Sequence, residues 1–302
     1  MSLISKYAYY GRSIVTLLAE LDDPVRTVEI FTGRPRALPA VVRLRRTGWR
    51  FAVRTPMDVW ILKEACVDRE YLWAIRELGE AWSVVDVGAG LGDFTVLAAK
   101  ACPAGVVHAY EPLPGSFALL EQNLALNAVT NVQRFEAAVA SRAGSLVIPS
   151  TDVEPVKVRT TDAPVGALSV PAIDLGAVLD ALPDGRCDFL KVDCEGGEYD
   201  ILMDSPPDLL RRIRRISLEY HEDGARGGRM LGAHLQANGF RVRRRGSPVY
   251  AHLGLLSAER LDALVERGFV GRQQRLEFHF SRLQHGATLL EERLQGAGRG
   301  DG

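Results

Sequence analysis

The chain has 302 residues, of which 47% are hydrophobic and 25% are charged, and its formal net charge is −1. This composition predicts a globular protein with a substantial core, and the near-zero charge gives no reason to expect nucleic acid or an anionic membrane as a partner. Four cysteines without a Cys-x-x-Cys pair argue against a disulfide framework or a zinc site, and the lack of a signal-peptide pattern or a long apolar stretch leads us to expect a cytoplasmic protein without a membrane span.

Residues 1–80 precede any clear α/β pattern and are predicted to form an N-terminal cap on the substrate side. Hydrophobic spacing predicts three elements in this cap: an amphipathic helix over Ser13–Leu21, a hairpin over Val41–Val53 and a helix over Asp58–Leu78. The aromatic residues that could line an acceptor pocket, although such residues more often belong to the core, are Phe51, Trp60 and Tyr71.

Strands and helices alternate after the cap. The predicted strands, which share short apolar runs, are Val84–Val87, Val106–Tyr110, Val132–Glu136, Phe189–Asp193 and Ile216–Tyr220. The clearest helices between them are Ser116–Asn127 and Leu175–Leu182, and a hairpin-like excursion is predicted from Leu146–Ile148 and Leu168–Ile173. Alternating strands and helices with short connections predict an α/β fold with a doubly wound, mostly parallel sheet.

The C-terminal part has a different pattern. Phe240–Arg245 and Leu276–Arg282 are predicted strands, and Ser257–Arg267 is a predicted helix between them. We expect an antiparallel strand pair at the edge of the sheet, so that residues 81–283 form one domain. Residues 284–302, which are Gly-rich from Gly296, are predicted to be a partly disordered tail.

A glycine-rich turn follows the first predicted strand. Gly88, Gly90 and Gly92 occupy alternate positions after Asp86 and precede an apolar helical pattern. Glycine lets the backbone approach a ligand that a Cβ atom would hold off. Glu111 lies 19 residues after Gly92, at the end of the second strand, where an acidic residue can accept from ribose hydroxyls. The pattern therefore predicts a cofactor that contains a nucleoside.

The spacing of this turn favours S-adenosylmethionine over a nicotinamide dinucleotide. Dinucleotide turns read Gly-x-Gly-x-x-Gly and hold the pyrophosphate at a helix N-terminus. Here the third glycine comes one residue earlier, and Asp93 puts a negative charge where a phosphate would bind. S-adenosylmethionine has a sulfonium, an α-amino group and a ribose but no phosphate. A nucleotide-linked dehydrogenase is the rival interpretation.

Acidic residues and a histidine follow two later strands. Asp193 and Glu195 come after the fourth predicted strand, and Glu219 and His221 lie at the end of the fifth. Ligands of open α/β sheets bind beyond the carboxyl ends of the strands, so these side chains are predicted to share one site. They could hold a divalent cation or supply a general base. The two residues after the fourth strand could instead cap the next helix.

Five segments resemble the FkbM-family methyltransferases, a branch of the class I S-adenosylmethionine-dependent enzymes. The resemblance covers roughly residues 50–225, and the segments that carry it read Val-Asp-Val-Gly-Ala-Gly-Leu-Gly-Asp-Phe-Thr (85–95), Tyr-Glu-Pro-Leu-Pro (110–114), Glu-Gln-Asn-Leu-Ala-Leu-Asn (121–127), Phe-Leu-Lys-Val-Asp-Cys-Glu-Gly-Gly-Glu (189–198) and Leu-Glu-Tyr-His (218–221). The fourth segment is fairly specific to the family. The resemblance implies a Rossmann-like methyltransferase domain over residues 81–283. It also implies O-methylation of a hydroxyl on a natural product, sugar or lipid-like acceptor.

The resemblance also implies roles for individual residues. Asp86 and the three glycines would contact the methionine end of the cofactor, Glu111 the ribose, and Glu136 with Ala137 the adenine. Related sugar and catechol O-methyltransferases hold magnesium at carboxylates after the fourth and fifth strands, which would be Asp193 and Glu219 here.

The chain departs from the catechol-type pattern at the base. Those enzymes have a lysine three residues after the first carboxylate, where this chain has Gly196. His221 is therefore the predicted base. In one version of the mechanism Asp193 and Glu219 bind Mg²⁺ and His221 takes the proton. In the other version no metal is bound, and Asp193 orients His221 or the substrate.

Other functions stay open at this point. The methyl group could go to nitrogen or carbon of a small molecule, or the chain could be a non-catalytic regulatory protein that binds S-adenosylmethionine. Arginine runs at residues 211–215 and 241–245 are interpreted as solvated faces and not as nucleic-acid sites. The sequence identifies neither the acceptor nor whether the chain forms a homo-oligomer.

Overall fold

A seven-stranded, mostly parallel sheet forms the centre of the protein in the computed structural model, which describes residues 3–33, 38–75, 77–149, 167–224 and 226–262. In chain order the strands are β1 Ala40–Arg43, β2 Arg50–Val53, β3 Ser83–Val87, β4 Val106–Tyr110, β5 Val132–Phe135, β6 Ala138–Ala140, β7 Gly144–Pro149, β8 Ala167–Asp174, β9 Phe189–Val192, β10 Arg215–His221, β11 Phe240–Gly246 and β12 Leu253–Arg260. The α-helices are α1 Leu3–Glu20, α2 Pro24–Phe31, α3 Pro56–Leu62, α4 Asp93–Ala101, α5 Pro114–Leu126, α6 Leu175–Asp180, α7 Glu198–Met203, α8 Pro207–Leu210 and α9 Gly228–Ala237.

The strand order across the central sheet is β11-β12-β10-β9-β3-β4-β5. Strands β3, β4, β5, β9 and β10 are parallel, and β12 runs antiparallel to β10. The chain builds outward from β3 to β5 and then continues at β9 on the other side of β3. The winding direction thus reverses between β3 and β9, which is where open α/β sheets bind their ligands. The predicted doubly wound fold with an antiparallel edge is confirmed.

Burial on both faces of the sheet explains its apolar strands. Val85 and Val87 of β3 belong to one core cluster with Leu190 of β9, whereas Val84 belongs to a cluster on the other face with Phe94. Each of these side chains is at most 1% exposed. Central parallel strands accordingly consist of nearly continuous apolar runs, and the polar residues within those runs need a specific partner.

The cap contains a hairpin and a broken helical segment. Strands β1 and β2 pair antiparallel as predicted. The predicted helix over Asp58–Leu78 is wrong, because α3 ends at Leu62 and is followed by a π-helical turn, Lys63–Val67, and a 3-10 turn, Glu70–Leu72. Arg69, with φ of 54°, interrupts the helical backbone. The apolar residues of the predicted helix therefore belong to separate short segments. The π-helical turn packs against α4, and the 3-10 turn packs against β10.

The C-terminal edge also differs from the prediction. Residues 257–260 belong to β12 and not to a helix, because Leu255, Leu256 and Ala258 are buried where β12 pairs with β10. The antiparallel edge is thus built from β12 and β11. The predicted strand Leu276–Arg282 and the predicted tail 284–302 lie outside the described residues.

A smaller sheet, of order β6-β8-β7, contains the predicted excursion, with β7 and β8 antiparallel. Residues 1–259 form one compact unit, and a second unit comprises residues 260–302, of which residues 260–262 are described. No helix in the described ranges is long and apolar enough to span a bilayer.

Candidate active site

The glycine turn after β3 lies at the point where the winding of the sheet reverses. Gly88, Gly90 and Gly92 have φ values of 70°, 55° and 87°, in the left-handed region that favours glycine. A Cβ atom on Gly88 would lie 1.8 Å from the carbonyl oxygen of Asp193, whereas one on Gly90 would extend into open space. The turn therefore packs against the loop after β9 and leaves the Gly90 backbone accessible to a ligand.

Glu111, after β4, fixes the middle of the turn. Its Oε2 accepts from the Gly90 amide at 2.8 Å, and its Oε1 accepts from the Leu113 amide at 2.9 Å. Burial raises the pKa of the Glu111 carboxyl, although these two amides oppose the shift. Each carboxylate oxygen accepts more than one hydrogen bond. The residue can therefore orient the turn and still accept from ribose hydroxyls.

Asp86 lies beneath the turn and is fully buried. Its Oδ2 accepts from the Thr95 hydroxyl at 2.6 Å, and its Oδ1 lies 3.0 Å from the Lys191 ammonium. Asp86 and Lys191 are also register partners in the β3–β9 pair. A direct contact between Asp86 and the methionine end of a cofactor, as predicted, would require this ion pair to open.

Two asparagines, Asn123 in α5 and Asn127 directly after it, bind the turn and the cap to the domain. The amide group of Asn123 donates to the Leu91 carbonyl at 2.8 Å and to the Ala52 carbonyl at 3.2 Å, while its oxygen accepts from the Ala52 amide at 2.6 Å. Asn127 bonds in the same way to the backbone of Arg50. These contacts explain both asparagines in the segment at 121–127.

Asp193 lies directly after β9, beside the turn. Its amide donates to the Val87 carbonyl at 3.0 Å, and its Oδ2 accepts from the Tyr71 hydroxyl at 2.6 Å. The Lys191 ammonium lies 3.9 Å from the same oxygen. Because the side chain is 27% exposed, this carboxylate is oriented by its partners and yet accessible to an acceptor.

The loop after Asp193 is strained. Glu195 has φ of 53°, a left-handed conformation that costs a non-glycine residue about 1–2 kcal/mol, and Gly196 follows with φ of 108°. Such strain persists only where the surroundings enforce it. Here Glu198, which is fully buried, accepts from the Gly196 amide at 2.8 Å.

His221, at the end of β10, lies among three glutamates. Its Nδ1 is 3.2 Å from Glu198 Oε1, and its Nε2 is 3.2 Å from Glu195 Oε2 and 3.7 Å from Glu219 Oε1. The backbone amide of His221 also donates to Glu198 Oε1 at 2.9 Å. The loop after β9 and the end of β10 are thus joined through one imidazole.

These neighbours determine the protonation of the cluster. Burial lowers the pKa of His221, but its hydrogen bonds with Glu195 and Glu198 outweigh burial and raise that pKa to about 10. Burial and the charge of Asp193 raise the pKa of Glu219 to about 9, although the His221 cation opposes this shift. At neutral pH the imidazole is therefore a cation, and the Glu219 carboxyl keeps its proton and can donate a hydrogen bond.

The two predicted magnesium ligands do not fit a magnesium ion. Asp193 lies beside the Lys191 ammonium, and Glu219 lies beside the His221 cation. Magnesium needs near-octahedral oxygen ligands and is disfavoured next to fixed positive charges. Among the described residues, no group of three or more His, Cys, Asp or Glu side chains is arranged to hold a metal.

The predicted adenine contacts follow β5. Glu136 is exposed and Ala137 is buried. The Glu111 amide donates to the Phe135 carbonyl at 3.1 Å. Glu136 and Ala137 therefore come directly after the residue of β5 that is bonded to Glu111, the predicted ribose ligand. Their placement is compatible with an adenine ring beside the ribose.

The three aromatic candidates for the acceptor pocket have different surroundings. Phe51 is fully buried in the core, whereas Tyr71 contacts Asp193. The half-buried Trp60 packs against Tyr9 and Tyr10, with ring centroids 6.2 and 5.6 Å away. Of the three, Trp60 and Tyr71 therefore remain candidates for the acceptor side.

Two residues of the site, Glu198 and Lys191, are not among the site residues predicted from the sequence. Both lie within the segment at 189–198 that resembles the family most specifically. The signal available for Glu198 was its position directly after two glycines, where a strained loop needs an acceptor for its amides.

Comparison with known proteins identifies the family. The model of the methyltransferase FkbM domain matches residues 86–242, just over half of the chain. Methyltransferase sdnD of Sordaria araneosa is 29% identical over 239 residues, which cover 68% of this chain and 90% of the relative. The 31-O-demethyl-FK506 methyltransferase FkbM of Streptomyces tacrolimicus is 28% identical over 227 residues, covering 64% and 85%.

A similar solved structure is precorrin-6y C5,15-methyltransferase from Geobacter metallireducens GS-15, with a TM-score of 0.41 and 19% identity over 64% of this chain and 87% of that one. The FkbM-domain match extends from Asp86 under the glycine turn to β11 and so includes Asp193 and His221. The chain therefore belongs to the FkbM methyltransferase family and is an S-adenosylmethionine-dependent methyltransferase.

Proposed function

We propose that this enzyme is an O-methyltransferase that methylates a hydroxyl of a small natural product, sugar or lipid-like acceptor. The observation that carries the proposal is the juxtaposition of the glycine turn with Asp193. A Cβ atom on Gly88 would collide with the Asp193 carbonyl, so a ligand at the turn and an acceptor at the Asp193 carboxylate would be neighbours. Such positioning of two reactants is a major source of rate enhancement.

The cofactor side of the proposed site consists of the glycine turn and two strand ends. The turn would hold the methionine end, Glu111 the ribose, and Glu136 with Ala137 the adenine. When bound, S-adenosylmethionine supplies the methyl group from its sulfonium.

The acceptor side has one carboxylate suited to remove a proton. Asp193 is partly exposed, and its orientation is fixed by Tyr71 and Lys191. An alcohol is a poor nucleophile at neutral pH, so transfer of its proton to a nearby base assists attack. We therefore assign the base to Asp193, whose carboxylate would accept the hydroxyl proton, while bound S-adenosylmethionine would supply the methyl group to the oxygen by loss of its carbon–sulfur bond and leave as a neutral thioether.

His221 and Glu219 receive supporting roles in this proposal. Both ring nitrogens of His221 face carboxylates and its pKa is raised to about 10, so it is poorly suited to the base role predicted from the sequence. Its charge would stabilise the strained loop around Glu195. The protonated Glu219 carboxyl would donate a hydrogen bond to an oxygen of the acceptor.

A hydroxyl acceptor is favoured over nitrogen or carbon by the name of one relative, the 31-O-demethyl-FK506 methyltransferase FkbM of Streptomyces tacrolimicus. That name suggests an O-methylation in natural product chemistry. The carboxylates of the acceptor side also suit a substrate that presents hydroxyl donors.

The test is a methyl-transfer assay of the full chain with S-adenosylmethionine and a panel of sugar, macrocyclic and lipid alcohols, read by mass spectrometry. Asp193→Asn should lower turnover by about 10²–10⁴ while its affinity for S-adenosylmethionine, measured by calorimetry, stays within about threefold. Normal turnover of this variant would refute the role of Asp193. Transfer to amines or carbon acids alone would refute the hydroxyl.

The same assay, repeated in the presence of a metal chelator, tests the metal-free mechanism. We expect equal turnover with and without a chelator, since the two predicted magnesium ligands lie next to cations. Loss of turnover in the chelator, with recovery on addition of Mg²⁺, would restore the magnesium mechanism.

A further inference from the structure

Lys191 is the most unusual residue of the central sheet. It lies in the middle of β9, flanked by the buried apolar residues Leu190 and Val192, and is itself 4% exposed. A buried ammonium is costly unless it is paired and hydrogen-bonded, and buried ion pairs add little to stability compared with apolar residues of the same size. Stability alone therefore explains this lysine poorly.

The ammonium group binds the start of the glycine turn. Its Nζ donates to the Gly88 carbonyl at 2.6 Å and lies 3.4 Å from the Val87 carbonyl. The amides of the same turn are bonded separately, that of Gly88 to the Tyr110 carbonyl and that of Gly90 to Glu111. The end of β4 thus accepts from the amides of the turn, through Tyr110 and Glu111. Lys191 donates to the carbonyls at the start of the turn.

The same ammonium faces the acceptor side. It lies 3.9 Å from Asp193 Oδ2 and 5.2 Å from the centre of the Tyr71 ring. Tyr71 in turn donates to Asp193. One charged group therefore contacts the cofactor turn, the buried Asp86 and the carboxylate of the acceptor side.

We propose that Lys191 is a positioning residue that sets the glycine turn in its cofactor-binding conformation and holds Asp193 beside it. This inference rests on the proposed function, because it takes the turn as the cofactor site. Loss of the ammonium would remove the donor to the Gly88 carbonyl and the charge that orients Asp193. The expected effect is weaker cofactor binding and slower transfer, beyond any loss of stability.

The experiment compares Lys191→Met with Lys63→Met. Lys63 is a matched control, since it is also buried and paired, at 2.5 Å from Asp68 and 5.1 Å from the Trp60 ring centre. Calorimetric titration with S-adenosylmethionine, below the unfolding temperature of each variant, should show about tenfold or greater loss of affinity in Lys191→Met alone. Equal affinity of Lys191→Met and the unsubstituted protein would overturn the proposal.

A double variant covers the case in which Lys191→Met folds poorly. Asp86→Asn combined with Lys191→Met removes both members of the buried ion pair, so it should recover the unfolding temperature and still bind S-adenosylmethionine at least about tenfold more weakly than Asp86→Asn alone. Affinity equal to that of the single Asp86→Asn variant would show that Lys191 only neutralises Asp86.

Gly90→Val, whose new side chain would extend into the open space beside the turn, tests the proposed cofactor site independently. Full affinity of Gly90→Val would refute the site itself. Weak binding of Gly90→Val together with full affinity of Lys191→Met would refute only the role of Lys191.

Discussion

The loops after β3 and β9 are neighbours, yet they are stabilised in opposite ways. The turn after β3 has three glycines with positive φ, and its amides bond to a backbone carbonyl and to Glu111. The loop after β9 puts a glutamate in the left-handed region and depends on Glu198 and His221, two charged side chains from other positions. The left-handed positions of the first loop are glycines, which adopt this conformation without strain, whereas the second loop has a left-handed glutamate that its neighbours hold in place.

This difference predicts which kind of change each loop tolerates. The turn after β3 should be sensitive to added volume. The loop after β9 should be sensitive to charge and protonation. The following predictions test this contrast, from the largest expected effect to the smallest.

Gly88→Ala should have the largest effect. Its Cβ would lie 1.8 Å from the Asp193 carbonyl oxygen at a φ of 70°, so the two loops would have to separate. We expect the free energy of unfolding to fall by about 2–4 kcal/mol and affinity for S-adenosylmethionine to fall by about 100-fold. Chemical denaturation and calorimetry measure the two effects.

Gly246→Ala is the control for added volume, since nothing lies within 4 Å of the Cβ position there. It should leave the free energy of unfolding and the affinity for S-adenosylmethionine nearly unchanged. Tight binding of S-adenosylmethionine by Gly88→Ala would show that the two loops need not touch for the cofactor to bind.

Glu198→Ala should reduce turnover by about 30-fold or more and leave the affinity for S-adenosylmethionine within about threefold. The variant loses the acceptor of the Gly196 and His221 amides, so the strained loop should relax away from the acceptor side. Initial rates at saturating cofactor, together with calorimetry, separate the two effects.

Glu111→Gln is the matched variant on the cofactor side. Because it weakens the contact with the Gly90 amide, it should reduce affinity for S-adenosylmethionine by about tenfold. If both glutamate variants altered affinity and turnover alike, the two loops would act as one unit, contrary to the comparison.

Glu219→Gln should change the pH profile more than the rate at neutral pH. The Glu219 carboxyl, with its pKa raised to about 9 mainly by burial, is a proton donor up to that pH. Turnover of the unsubstituted enzyme should therefore fall as pH rises through about 9. The glutamine amide remains a donor at every pH, so its turnover should lack this decrease. A decrease of equal size in both enzymes would assign the titration to another group.

The smallest effect concerns stability. The pKa of His221 is raised from 6.5 to about 10 through its bonds with Glu195 and Glu198, against the effect of burial. The native state thus holds this proton more tightly than the unfolded chain, so the stabilisation is complete below pH 6.5 and is lost as pH rises through about 10. Thermal unfolding followed from pH 7 to pH 9.5 should show a falling midpoint. His221→Gln should have a shallower slope, and an equal slope would contradict the assignment.

The fold was predictable because the signals for it are local. Valine runs, the glycine turn and the alternation of strands with helices need no knowledge of distant residues. The helix predicted over Ser257–Arg267 failed because Leu255, Leu256 and Ala258 are buried by pairing with β10, and a helical hydrophobic period cannot anticipate a strand partner about 40 residues away.

The acidic residues of the site were predictable for the same reason, since they follow apolar strand candidates directly. Their protonation was not. The sequence shows a histidine near carboxylates, which suggests a base, but only the fold brings Glu195, Glu198 and Glu219 around one imidazole and makes it a cation.

The contacts of Asn123 and Asn127 bear on which substitutions the hairpin tolerates. Asn123 and Asn127 bind β2 only through its main chain, at Ala52 and Arg50. Main-chain recognition is indifferent to the side chains that the hairpin carries. Substitutions at the exposed positions Arg43 and Arg50 therefore leave this main-chain anchorage intact, whereas the side chains of Phe51, Ala52 and Val53 are buried against the domain and are not free to vary.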